Sequence, residues 1–362
     1  MKKMYYFAAA ALLLMASCSN DEIVEQSKGE KIAFNVLSDN AKTRATPITS
    51  TNLTSADFKV WGFTTPGNVK YIKGVPIHYA GDKWDYKNAS DVSYWPSSAL
   101  DIYAVSPATH DNLAPGFLTS SALNFTYESP EDNAKQADVM YASNKGVSKS
   151  DGSMVSLVFK HALSQIVFKG KAGTTMAVRI KSIKVHNLKK SGKFTFPNGT
   201  TGSASEAGSW TLSGDADADY VVGTVKTSGQ DHVMINGASV TDLTAPDGAL
   251  LILPQTATAW TTNENTAVPI TTAETNNHCY LEIDMKLTQS GVFLIGNEST
   301  YGKVYVPFGG TAWEPGKKYI YTLNFGGGYD ADGKVILSPM KFTPTVEDWT
   351  DSPSDITLPP AP

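Results

Sequence analysis

The sequence predicts an all-β protein assembled from short strands, and three observations support this. Apolar and polar residues alternate with a period of two over residues 32–36 and again over residues 319–325. Clusters of Gly, Asn, Asp, Ser and Pro separate the apolar runs, as at residues 197–199 and 330–333. Long helical periodicity is scarce and threonine is abundant. Many short strands with regular turn punctuation are typical of β-sandwiches.

Further strands are predicted over the other apolar or β-branched runs: residues 156–159, 165–168, 178–185, 250–253, 280–287 and 304–308. One helical turn is expected around residues 134–138. Residues 88–129 are expected to be rich in loops, because Trp95-Pro96 and Ser106-Pro107 interrupt any continuous strand.

The N-terminus has the features of an export signal. Lys2 and Lys3 precede an uncharged apolar run over residues 5–16, which is too short to span a bilayer comfortably. The run ends in Met-Ala-Ser-Cys, which resembles the lipobox of bacterial lipoproteins. We therefore expect residues 1–17 to be a signal peptide and Cys18 to carry the lipid (diacylglycerol and palmitate-type chains) that anchors the chain. Residues 19–22, Ser-Asn-Asp-Glu, end in an acidic pair and resemble the signal that exports Bacteroidetes lipoproteins to the outer face of the outer membrane.

Charge and cysteine content restrict the function further. The chain has 30 basic and 35 acidic residues, and loss of the two signal-peptide lysines leaves a mature net charge of −7. This acidic balance disfavours nucleic-acid binding and an electrostatic membrane clamp. Cys18 and Cys279 are the only cysteines, and lipidation consumes one, so we expect no intramolecular disulfide in the mature chain.

The sequence contains no convincing catalytic or metal-binding motif, so we expect neither an enzyme nor a cofactor. The histidines (His78, His110, His161, His186, His232 and His278) are scattered without metal-ligand spacing. Residues 215–219 begin like a calcium loop, but Tyr220 and Lys226 occupy the positions that require Gly and Glu. Residues 326–328 form a Gly run that lacks the Gly-Lys-Ser/Thr ending of a phosphate loop.

Several segments together resemble the fimbrillin family of Bacteroidetes, which supplies subunits and anchors of type V pili. The most specific is Phe159-Lys160-His161-Ala162-Leu163. The resemblance also rests on Trp95-Pro96, on residues 100–104, 138–142, 157–166, 180–183, 187–188 and 192–195, and on Val346-Glu347-Asp348-Trp349 near the end.

The resemblance implies two tandem transthyretin-like (Ig-like) β-sandwich domains and assembly by strand exchange. An arginine-specific protease would cut between Arg44 and Ala45 and release a first strand whose inward side chains are Ile32, Phe34 and Val36. A strand from a neighbouring pilus subunit would then fill the vacated groove. The alternative is that Arg44 is an ordinary loop arginine and the first strand stays in place.

The expected organisation has four parts. A signal peptide (1–17) precedes a leader with the removable strand (18–44), an N-terminal sandwich (45–172, first strand from 31–37) and a C-terminal sandwich (173–362). The boundary is placed at the small and polar residues 169–175. The donor strand would come from the C-terminal region, where Pro339 and Pro344 limit a strand to an edge or a bulge.

Two questions of function stay open at this stage. The chain could be a stalk, tip or anchor subunit that contacts a host or bacterial surface ligand. Alternatively, it could be a surface glycan-binding lipoprotein. In that case Trp84, Trp210, Trp260 or Trp313 would stack on sugars, whereas Trp61 and Trp95 are expected in the core.

Overall fold

The computed structural model describes residues 26–38, 56–117, 119, 123–151, 154–197, 207–263, 265–337 and 341–349. Regular structure in these residues is almost entirely strand, so the predicted all-β class is confirmed.

The strands of the first half lie in the following order: β1 (Gln26–Lys31), β2 (Ala33–Ser38), β3 (Phe58–Thr65), β4 (Lys70–Tyr79), β5 (Trp84–Tyr86), β6 (Tyr94–Pro96), β7 (Ala99–Ser106), β8 (Leu113–Pro115), β9 (Asn124–Glu128), β10 (Met140–Val147), β11 (Met154–His161) and β12 (Ser164–Ala172).

The second half continues with β13 (Met176–Leu188), β14 (Ser191–Thr195), β15 (Ser209–Ser213), β16 (Ala218–Val221), β17 (Val233–Asn236), β18 (Thr241–Asp242), β19 (Leu250–Ile252), β20 (Tyr280–Gln289), β21 (Val292–Ile295), β22 (Gly302–Pro307), β23 (Lys317–Phe325), β24 (Gly327–Tyr329), β25 (Val335–Leu337) and β26 (Lys341–Asp348).

The helical elements are short. A six-residue α-helix, α1, covers Ile270–Thr275 and buries Ile270 and Ala273. Single 3-10 turns occur at Ala89–Asp91, Asn133–Lys135 and Lys149–Asp151. The second of these overlaps the helical turn expected around residues 134–138. Within the described ranges, no helix has the length and apolar character needed to cross a membrane.

The N-terminal strands form a sheet that closes on itself. Its seven strands run in the order β10-β11-β2-β5-β4-β3-β7. The strands at the two ends of this order, β10 and β7, also pair with each other, which closes the sheet into a barrel. Inward side chains such as Phe58, Trp95, Leu100 and Phe159 fill the interior. Strand β7 was expected in a loop-rich segment, but it lies between β3 and β10. Pro96 and Pro107 flank β7 without interrupting it, which is why it can pair on both sides.

The C-terminal strands form two sheets that pack face to face. A five-stranded sheet has the path β18-β12-β23-β26, with β19 also paired to β12. An eight-stranded sheet has the path β16-β13-β20-β22-β24-β25, with β17 and β21 paired alongside. Strand β12, which the predicted division assigns to the N-terminal domain, pairs in parallel with β23. The division at residue 172 stays a prediction.

A bulge adjusts the alternation of β13 to its sheet. Val178 and Ile180 point inward, and so do Ile183 and Val185, although three positions separate the two pairs. The register with β20 shifts between Ile180 and Ser182. One extra residue there keeps all four apolar side chains in the core and turns Lys181 outward.

A third apolar cluster joins the two halves. The four-stranded sheet β15-β14-β9-β8 contributes Phe125 and Phe194, while the outside of the barrel contributes Trp61 and Tyr141. The ring centroids of Tyr141 and Phe194 are 4.5 Å apart. Because β9 and β14 pair across the middle of the sequence, the two halves share one continuous apolar contact.

Candidate functional site

Residues 32–36, which the sequence predicts to form the removable strand, place three apolar side chains in the barrel interior. Ile32 is 0% exposed, Phe34 4% and Val36 8%, whereas Ala33 and Asn35 between them are only partly buried. This alternation follows from the two-residue period of a strand. The Phe34 ring lies 6.4 Å from the ring centroid of Phe58 and 5.9 Å from that of Tyr86. Residues 32–36 are therefore part of the core.

Strand β2 is bonded unequally on its two sides. It pairs in parallel with β11 over six residue pairs, from Met154↔Ala33 to Phe159↔Ser38. On the other side its pairing with β5 consists of Phe34↔Trp84. Removal of β2 would leave the backbone N–H and C=O groups on that side of β11 without partners, next to an apolar trough. Such an edge favours the addition of another strand.

Surface contacts hold the start of this segment. Strand β1 pairs with β6, and the amide of Ile32 donates to the carbonyl of Ser93 at 2.9 Å. The Lys31 ammonium hydrogen-bonds the Asp85 carboxylate and holds the pKa of Asp85 below its ordinary value. Exposed ion pairs of this kind stabilise a fold by about 0.2–1 kcal/mol each. The buried side chains of residues 32–36 therefore contribute more than this ion pair to retaining the segment.

The predicted lipidation and cleavage residues lie outside the described residues. Cys18 precedes β1, and Arg44-Ala45 belong to residues 39–55, which connect β2 with β3. The chain's other arginine, Arg179, lies in the middle of β13. Its neighbours in the sheet are Met234 on one side and Lys286 on the other. A protease could reach that backbone only after the sheet had opened.

The C-terminal strand β26 occupies the edge of the five-stranded sheet. It pairs with β23 from Lys317↔Asp348 to Asn324↔Lys341. Residues 344–348 are exposed, and Pro344 lies within the strand, as expected for an edge position. Pro339 and the residues after Trp349 are outside the described residues. Among the described residues, β26 is therefore a surface strand with one unshared edge.

Three residues from separate sequence motifs meet at the junction of the two halves. His161 Nδ1 lies 2.9 Å from Asp138 Oδ1, and both side chains are buried. The ring of Trp349 stacks on His161 at 3.9 Å with an interplanar angle of 4°. The amide of Trp349 also donates to the carbonyl of Gly316 at 2.9 Å. This arrangement fixes the end of β26 against the barrel, which is a structural role for His161.

The tryptophans proposed as sugar platforms are mostly in the core. Trp84, Trp260 and Trp313 are 9%, 2% and 2% exposed, so these three rings are not open for the sugar stacking that the glycan-binding alternative assigns to them. Trp210 is half-buried, packs against Phe194 and donates Nε1–H to the carbonyl of Ala162. Turn residues beside these tryptophans favour exposure in the sequence. In the fold, the rings of Trp84, Trp260 and Trp313 belong to buried apolar clusters. Trp61 and Trp95 are buried, as expected.

No metal-type cluster occurs in the part of the chain that the structure describes. Asp219, in the calcium-like segment, pairs with His186 Nδ1 at 2.8 Å. Cys279 is fully buried, and burial raises the pKa of its thiol. His278 is half-buried beside it.

Comparison with known proteins identifies the class and then the family. This all-β chain, in which β2 fills the core and β26 forms a sheet edge, has the fold of a fimbrial protein from Bacteroides vulgatus. The two are 14% identical, with a TM-score of 0.57 over 89% of this chain and 100% of that chain. The chain belongs to the fimbrillin-like family, whose model matches residues 43–349.

Two other solved structures are similar over most of their length. One is a candidate cell adhesion protein from Bacteroides uniformis (15% identity, TM-score 0.48, 88% of this chain and 99% of that chain). The other is a fimbrilin from Porphyromonas gingivalis (14% identity, TM-score 0.45, 91% and 99%). A search of curated proteins gives no match.

Proposed function

We propose that this chain is a surface-exposed outer-membrane lipoprotein and a subunit of a type V pilus, in which strand β2 and the preceding Ile32 are replaced during assembly by a strand of a neighbouring subunit. The observation that carries the proposal is the position of β2. Its side chains Phe34 and Val36, with the preceding Ile32, fill the barrel, yet among the described residues only one pair joins β2 to β5.

The energy of the exchange favours a tight assembly. Three inward apolar side chains contribute about 1.5–3 kcal/mol each when buried. The backbone hydrogen bonds to β11 add about 1 kcal/mol each. A donor strand with matching alternation would regain both contributions, so the free energy lost on removal of β2 would be returned when subunits join.

Cleavage after Arg44 would release the strand. The cut would leave residues 18–44 attached by non-covalent contacts alone, so the leader could dissociate from the barrel. Arg179 would escape the same protease, since its backbone is hydrogen-bonded to strands on both sides. The chain therefore has one arginine suited to controlled processing.

The donor would come from the C-terminal region of another copy or of another pilus subunit. Strand β26 lies at a sheet edge with residues 344–348 exposed, so its loss would leave most of the C-terminal core covered. Before processing, the lipid on Cys18 would hold the chain in the outer membrane. The role of stalk, tip or anchor would depend on whether that leader is removed.

Arg44→Ala tests this proposal, with Arg179→Ala as a matched control. Each protein is expressed in a host with the arginine-specific protease, and surface extracts are resolved by electrophoresis without heating. Wild type and Arg179→Ala should give a ladder of stable oligomers, and Arg44→Ala should remain monomeric. A ladder of equal size and yield from Arg44→Ala would refute processing-dependent exchange at this site.

A further inference from the structure

Four cationic side chains converge on one region of the eight-stranded sheet, around Tyr301. The ammonium of Lys286 lies 4.6 Å from the centre of the Tyr301 ring, and that of Lys181 lies 5.4 Å from it. Lys226 Nζ donates to the backbone carbonyl of Lys181 at 2.9 Å. Arg179 pairs with Lys286 across the neighbouring strands β13 and β20.

The fold presents three of these four cations to solvent. Arg179 and Lys181 are exposed on the outer face of β13, and the bulge between Ile180 and Ser182 turns Lys181 outward. Lys226 is also exposed, in the connection between β16 and β17. Lys286 is 7% exposed and donates to the carbonyl of Glu298 at 2.8 Å, so it adds fixed positive charge beneath the surface. Bulges often re-aim side chains at functional sites.

The four cations share the lack of a carboxylate partner. Among the described residues, none of the four lies within ion-pair distance of an Asp or Glu side chain, whereas Lys169, Lys190, Lys303 and Lys317 do.

Two nearby carboxylates are already engaged. Asp284 accepts from the Ser182 hydroxyl at 3.1 Å, and Asp231 accepts from the Tyr301 hydroxyl at 3.2 Å. Hydrogen bonds from neutral hydroxyls leave both carboxylates charged, but the four cations outnumber these two groups, so the patch carries an excess of positive charge on a chain whose net charge is −5.

We propose that Arg179, Lys181 and Lys226, supported by the buried charge of Lys286, bind an anionic polysaccharide through its sulfate or carboxylate groups. A flat, exposed sheet face binds a single small anion weakly, because each exposed ion pair contributes little. A polymer with repeated anionic groups engages several cations at once, and its affinity rises through effective concentration. The guanidinium of Arg179 can bind one such group through two parallel hydrogen bonds.

A polysaccharide fits this surface better than a nucleic acid or an anionic membrane. The patch is confined to parts of β13, β20 and one connection, and the acidic remainder of the chain repels a long phosphate backbone or an extended anionic surface. Such polymers occur outside the cell, so this inference rests on the proposed surface location of the chain. Binding is independent of strand exchange, since no residue of the patch lies in β2 or β26.

The test measures binding of immobilised dextran sulfate, polygalacturonate and uncharged dextran by the protein comprising residues 19–362. The double variant Arg179→Gln/Lys181→Gln should lose affinity for at least one anionic polymer by about threefold or more, as expected for two exposed ion pairs. The charge-retaining variant Arg179→Lys/Lys181→Arg should bind like wild type. Lys169→Gln/Lys317→Gln is the matched control, because it makes the same change of charge on the five-stranded sheet.

Three outcomes would overturn the proposal: no binding of either anionic polymer by wild type, an equal loss in the Lys169/Lys317 control, or equal affinity for duplex DNA or anionic vesicles. Melting temperatures of all variants establish that each is folded. Oligomer ladders of the same variants test assembly separately, so a failure of polysaccharide binding is distinguishable from a failure of pilus assembly.

Discussion

Truncation of Phe34 should destabilise the uncut protein far more than truncation of Asn35, its neighbour in β2. Phe34 is 4% exposed and contacts the rings of Phe58 and Tyr86, whereas Asn35 is only partly buried. Phe34→Ala removes a buried ring and leaves a cavity, which costs about 3–5 kcal/mol. Asn35→Ala removes no core contact and should change the free energy of unfolding by about 0.5 kcal/mol or less.

Scanning calorimetry of residues 19–362 measures this difference. A loss of about 3–5 kcal/mol lowers the melting temperature of a domain of this size by about 10 °C. Asn35→Ala should melt within about 2 °C of wild type, by the same relation. Equal melting temperatures for the two variants would mean that residues 32–36 are a dispensable tether. The groove mechanism would then lose its physical basis.

Three further predictions concern the anchor, the junction and the thiol. Cys18→Ala should move the protein from the membrane fraction to the soluble fraction. The lipid anchor would be excluded if this variant still fractionated with membranes and the wild-type protein incorporated no lipid label. Asp138→Ala should lower stability by about 1–3 kcal/mol in a denaturant titration, because it leaves His161 Nδ1 buried without its partner; an unchanged midpoint would contradict the structural role of this pair. Cys279 should resist maleimide in the folded protein and react after unfolding, since burial raises the pKa of its thiol; rapid labelling of the native protein would show that this core opens.

Strands with strong alternation could be predicted from the sequence, and those bounded by prolines could not. Tyr321, Leu323 and Phe325 alternate with Thr322 and Asn324, and they lie in β23 as expected. Strand β7 was expected in a loop because prolines flank it, and proline positions alone do not distinguish a strand end from a strand interruption. Its place in the barrel depends on pairing with β3 and β10.

The candidate site could be predicted only where its residues are adjacent in the sequence. Ile32, Phe34 and Val36 share one strand face, so their common orientation follows from spacing. Their parallel pairing with β11 joins residues more than a hundred positions apart, and no local pattern encodes it. The same separation hides the cationic patch, because Arg179, Lys226 and Lys286 come together only in the folded sheet.

The central claim is that residues 32–36 leave the barrel when subunits assemble. Oligomers isolated from the cell surface should be denatured, and their N-termini determined by mass spectrometry. A free N-terminal Ala45, with no peptide covering residues 32–36 in the oligomer bands, is the predicted result. Oligomers in which residues 32–36 are retained at wild-type stoichiometry would contradict the claim, because the groove would still be occupied by the chain's own strand.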